Sequence, residues 1–158
     1  RAEYDQQIAS AAERPAAARA ASDQAHIARQ NYLRGKQLAD RKRYAEALTF
    51  LENAVRLDDG VAAHHLEFGI ALARMARRRE EAERHLIAAV QIDPSLTAAY
   101  LALAHLCRRM GRKADASSLF REALRWDPSN EEAAAALAEI GDVAPEPGGG
   151  ILRGIFRD

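Results

Sequence analysis

The sequence predicts an all-α fold in which three helix pairs stack as a solenoid and a single helix caps the end. Three observations carry that prediction. Ala, Leu, Arg and Glu dominate the 158 residues while aromatics make up only 6%, a composition that favours helix over strand. Three segments then share one pattern, with small Ala47, Ala82 and Ala116 each followed four residues later by large Leu51, Leu86 and Phe120, and then by Ala54, Ala89 and Ala123. Helical spacing places each set on one face. Finally, Pro94 and Pro128 lie 34 residues apart, each after an Asp that closes one of these helices, where proline ends one element and permits the next.

Taken in order, residues 1–22 read as an N-terminal linker, alanine-rich from 11 to 22 with Pro15, leading to a helix start at Ser22 or Asp23. Residues 23–140 form the repeat domain. Repeats at about 28–61, 62–96 and 97–130 each begin with a first helix, marked by Gly35 and Leu38, by Gly69 and Leu72, and by Ala104 and Cys107. Small residues at these positions let paired helices approach closely, and Ala89 and Ala123 are expected at such contacts. Glu131 to Ile140 is the capping helix that an array needs over its last apolar face, which brings the expected helices to seven. Residues 141–150, with Pro145, Pro147 and three consecutive glycines, read as a flexible tether. The tail, residues 151–158, gathers Ile151, Leu152, Ile155 and Phe156 on one side of a short helix. Alone it is too short to be stable, so it is expected to dock, either back in the groove as a competitor for ligand or on another molecule.

The 34-residue recurrence of small and large positions resembles the tetratricopeptide-repeat family over about residues 28–140. Asn31 and His65 stand where that family most often has an aromatic, Asp59 replaces a terminal proline, and the Arg77-Arg78-Arg79 turn carries one extra residue. The resemblance implies a right-handed superhelix whose concave wall is built by the first helix of each repeat. By phase, the candidate groove residues are Arg29, Tyr32, Lys36 and Asp40, then Leu66, Ile70 and Arg74, then Leu101, His105, Arg108 and Arg109. Leu66, Ile70 and Leu101 are expected to be exposed there as an apolar centre between basic rims. In the family's clamp for the C-terminal carboxylate of heat-shock chaperones, the matching positions are Tyr32, Lys36, Glu67, Ala98 and Ala102. Only Lys36 suits a carboxylate, so that mode is not expected. Arg1-Ala-Glu-Tyr-Asp5 resembles the end of a J-domain, and the order of J-domain, linker and repeats resembles bacterial co-chaperones.

Twenty-three basic residues balance 23 acidic ones, so no overall field draws the molecule to nucleic acid or anionic membrane. A local ladder of cations, Arg41 to Arg43, Arg74 with Arg77 to Arg79, and Arg108 to Lys113, offers an edge to an anionic partner, but no aromatics interleave with it to stack bases. It is read first as solvated charge at helix ends. The five histidines show no metal-ligand spacing, and no cofactor motif or catalytic constellation is present. Cys107, the single cysteine, reads as a buried thiol and fits a reducing, cytoplasmic setting. No apolar run is long enough to span a membrane. The expectation is a non-enzymatic adaptor that binds a protein or peptide, with self-association through groove or tail as the alternative.

Overall fold

The computed structural model describes residues 2–141, 143 and 150–156, with side chains from Ala16 onward. Its helices are α1 (Ala2–Asp40), α2 (Tyr44–Leu57), α3 (Ala62–Ala73), α4 (Arg79–Ile92), α5 (Thr97–Arg109), α6 (Lys113–Trp126), α7 (Glu131–Ile140) and α8 (Ile151–Ile155). A 3₁₀ turn over Ala76–Arg78 absorbs the extra residue of the arginine turn. Among the described residues there is no strand. Helices pair as α1 with α2, α3 with α4, and α5 with α6; successive pairs stack, and α7 covers α6.

The small and large pattern explains this packing. Ala47, Leu51 and Ala54, Ala82, Leu86 and Ala89, and Ala116, Phe120 and Ala123 are all fully buried. Gly35 and Gly69 sit where paired helices come closest: a Cβ added there would lie 2.6 Å from Leu51 Cγ and 2.8 Å from Leu86 Cγ respectively.

Each second helix starts in the same way. Arg43, Arg78 and Arg112 stand just before α2, α4 and α6, and none of these starts has a side-chain cap. Instead each guanidinium clasps the acid three residues on, with Arg43 Nε to Glu46 at 2.6 Å, Arg78 Nε to Glu81 at 2.7 Å and Arg112 Nε to Asp115 at 2.8 Å. The acids also lie in the first turn, where the helix dipole favours negative charge. Arg112 reaches Glu83 of α4 as well, at 2.6 Å. Three cations of the basic ladder, Arg43, Arg78 and Arg112, are therefore paired within their own turns.

The loops between pairs show why His65 can stand in an aromatic position. Tyr100 donates its hydroxyl to the carbonyl of Pro94, 2.9 Å away and six residues back. His65 makes the same link one repeat earlier, with Nε2 at 3.0 Å from the carbonyl of Asp59. Since a carbonyl only accepts, Nε2 carries the proton, leaving Nδ1 as the acceptor for His85 Nδ1 at 3.0 Å. Burial first, and His65 second, hold the His85 pKa below the usual histidine range. The unfolded chain then binds more protons below about pH 6.5, so stability should fall as pH drops through that range. Urea midpoints measured at about pH 7.5 and about pH 5.5 should differ in that direction, and His85→Phe should shrink the difference. An equal drop in wild type and variant would dismiss the role of the pair.

Two expectations are corrected here. The stretch read as a linker is helical from Ala2, so no helix starts at Ser22 or Asp23. Alanine is the residue best suited to helix, and the run extends α1 rather than interrupting it. From Ala16 to Ile27 that extension is exposed, and Ala28 is the first buried residue among those described. Side chains of the Arg1 to Asp5 segment, like residues 142 and 144–149 of the expected tether and 157–158 of the tail, lie outside the described residues.

The second correction concerns the tail. It docks in cis, but on the wall of second helices, against α4 and α6. Ile155 is 4% exposed; the Ile151 N–H donates to Asp115 Oδ1 at 3.0 Å and Gln91 Nε2 donates to the Ile155 carbonyl at 3.1 Å. Leu152 and Phe156 face Trp126 and Pro94 across a recess of about 290 Å³. Both hydrogen-bonding partners stand on second helices, which is why the tail lands there and not in the groove. Deleting residues 148–158 should leave groove affinity unchanged while costing up to about 1.5–3 kcal/mol, the value of burying one large aliphatic side chain. Equilibrium urea unfolding and a binding titration would check both; a rise in affinity would restore the competitor reading.

Candidate peptide-binding groove

The first helices α3 and α5 lie side by side and leave a cleft of about 480 Å³ between them. Ile70 stands on α3 and Arg74 caps its end one turn later; Leu101, His105, Arg108 and Arg109 follow one face of α5. All six line the cleft, with Ala73, Ala98 and Ala102 supplying the small surfaces that keep it open.

The other five candidates lie elsewhere, and of these Arg29 and Asp40 are exposed on α1, outside the cleft lining. Leu66 is 8% exposed and belongs to the core, which overturns the expectation that it is exposed in the groove. Helix α3 has α1 on one side and α5 on the other, and Leu66 is drawn into that packing one turn before the wall opens at Ile70. Tyr32 is half-buried, its ring 5.1 Å from that of His64. Lys36 is tied to Glu67 at 2.6 Å, and that hydrogen bond is the main reason its pKa is raised.

Charge in the cleft is set by neighbours that sequence reasoning missed. From α7, Glu132 meets His105 Nε2 at 2.6 Å and Glu139 meets Arg108 at 3.0 Å. The spacing of Glu132 and Glu139, two turns apart on one face, was a usable signal for acids reaching back from the cap. Arg109 donates to the carbonyl of Ala73 at 3.0 Å, and Arg74 lies over the Tyr44 ring at 5.4 Å. Burial, followed by repulsion from Arg74 and Arg79, holds the Arg109 pKa below the arginine norm, although a guanidinium remains charged at neutral pH.

Cys107 sits beneath this wall, fully buried, and desolvation pushes its thiol up to about 12, far from the thiolate that reactivity requires. Among the described residues no three His, Cys, Asp or Glu side chains are grouped to hold a metal ion, and no helix is long and apolar enough to cross a membrane.

Stacked helix pairs with an open cleft along the first helices define a helical-repeat solenoid. Residues 73–140 match the family model for the tetratricopeptide repeat, and the array as a whole has the fold of solved tetratricopeptide-repeat domains. The Arabidopsis OM64 TPR domain is 22% identical and superposes with a TM-score of 0.71 over 74% of this chain and 96% of that one. The second TPR domain of human RPAP3, solved with the HSP70 peptide SGPTIEEVD, is 22% identical with a TM-score of 0.67 over 76% and 97%. The Yersinia enterocolitica type III secretion chaperone SycD, solved with a peptide of the translocator YopD, is 16% identical with a TM-score of 0.64 over 71% and 90%. No curated protein matches the sequence.

Proposed function

We propose that this chain is a non-enzymatic adaptor that holds an extended peptide or protein segment in the cleft between α3 and α5. The observation that carries this reading is the convergence of Ile70, Leu101 and the cationic side chains on one open, concave cleft, an arrangement that suits an extended ligand with apolar and polar contacts. The peptide complexes of RPAP3 and SycD support it by analogy of fold. Lys36 is held by Glu67 and Ala98 and Ala102 offer no cation, so the ligand is not gripped through those positions. The pairing of Arg43, Arg78 and Arg112 with acids likewise weighs against nucleic acid as the partner. The resemblance of Arg1 to Asp5 to a J-domain end supports a place for the module in a cytoplasmic co-chaperone, with the groove holding the client.

The test is selection of a displayed random peptide library on wild-type protein and on Ile70→Asp with Leu101→Asp. Peptides should enrich on wild type and lose binding to the double variant while its circular dichroism stays helical. Binding unchanged by the two substitutions would place the site elsewhere. A second reading, self-assembly, is favoured by Trp126 at 47% and Phe156 at 49% exposure, side by side on the outer wall around one recess. Light scattering at two concentrations would reveal it as a mass that rises with concentration.

A further inference from the structure

Charge pairing is uneven along this array. Arg43, Arg78, Arg112, Arg108 and Lys36 each meet a carboxylate. Of the guanidiniums lining the cleft, Arg74 and Arg109 meet no carboxylate among the described residues, nor does Arg79 beside them. Arg74 has only the face of the Tyr44 ring, Arg109 a backbone carbonyl, and the buried Nε of Arg79 has no acceptor at all. Arg74 and Arg79 both repel Arg109. Folding thus places Arg74 and Arg109 beside an apolar floor, and among the described residues no carboxylate is bonded to either.

We propose that the ligand of this groove is an acidic, apolar peptide segment, its carboxylate seated between Arg74 and Arg109 and a neighbouring aliphatic side chain lying on Ile70 and Leu101. The inference rests on the groove reading above and adds the chemistry of the occupant. A carboxylate relieves the repulsion between the guanidiniums and accepts from their planar forks. The apolar floor takes the adjoining side chain, whose burial strengthens the ion pair by displacing water. Nucleic acid fits less well: Glu132 lines the cleft and Glu139 is held at its rim by Arg108, where both oppose a phosphate chain, and among the described residues no Phe, Tyr or Trp lines the cleft to stack a base.

The experiment uses the full chain and the same displayed library, followed by fluorescence titration of the best peptide and of its Glu→Gln and Asp→Asn counterpart. Wild-type binders should place Asp or Glu next to Leu, Ile or Val. Removing the peptide's acids, or substituting Arg74→Ala with Arg109→Ala, should each weaken binding by about tenfold, the value of a charge-assisted hydrogen bond. Combining the two changes should add little more. Arg74→Glu with Arg109→Glu should select basic peptides instead, a gain that a misfolded variant could not show. Groove peptides that bind through Leu101 without preference for acids would overturn this proposal and leave the groove reading intact. Peptides insensitive to Ile70→Asp with Leu101→Asp would overturn both. Tighter binding of poly(U) RNA than of any peptide, lost in the same arginine variants, would assign the cations to nucleic acid and also reject the proposal.

Discussion

Phe120→Ala is expected to lower the unfolding free energy by about 3–5 kcal/mol, the range for removing a buried aromatic. Phe120 is fully buried in α6, and its ring stands edge-on to that of His105, with centroids 5.0 Å apart at 78°. Truncation removes apolar burial, leaves a cavity, and takes away the ring against which His105 is set. His105 lines the cleft, so this core change should reach the groove as well. Urea unfolding would give the stability loss, and a groove titration on the folded variant should show weaker binding. A loss under about 1 kcal/mol would mean that α5 and α6 can collapse onto the vacated space.

The second large effect is a coupling. Leu86→Ala alone should cost about 2–5 kcal/mol, the range for truncating a fully buried leucine. Gly69→Ala alone should also destabilise, by about 1–3 kcal/mol from overpacking, because the new Cβ would meet Leu86 Cγ at 2.8 Å. That cost works against the roughly 1 kcal/mol by which alanine is the better helix former. In the double variant the methyl group added at position 69 enters space that the leucine side chain has left, so the two losses should fall short of additivity by about 0.5–3 kcal/mol. Unfolding free energies of the four proteins decide the matter. Strict additivity would show that α3 and α4 are not in contact there.

The parts of the fold that were legible in the sequence are those in which one residue's size dictates its place. Ala47, Leu51 and Ala54 and their counterparts 34 or 35 positions on could be assigned to one buried face because helix geometry alone decides it. Pro94, Pro128 and the extra arginine near Arg78 marked the breaks for similar local reasons. What was not legible depends on neighbours distant in sequence. The partnership of Lys36 with Glu67 spans 31 residues, and that of Arg112 with Glu83 spans 29; neither follows from periodicity. Leu66 was misplaced because a helix flanked on two sides hides more of its surface than one facing open solvent. Residues 11–22, with their alanines, Pro15 and Ser22, carry the composition of a linker, whereas the helix continues through them. The tail's apolar side could be read from spacing, but its landing place was set by Gln91 and Asp115, which no local pattern connects to it.

The position of α8 has a mechanical consequence. An array of stacked pairs can curl more tightly over a ligand only if its outer helices spread apart while the inner ones close. By lying across α4 and α6, hydrogen-bonded to Gln91 of one and Asp115 of the other, the tail acts as a strut on the outer wall and resists that spreading. Bending the array more tightly would have to break or stretch these two hydrogen bonds. An occupant of the proposed groove that needed tighter curvature would bind more weakly for that cost.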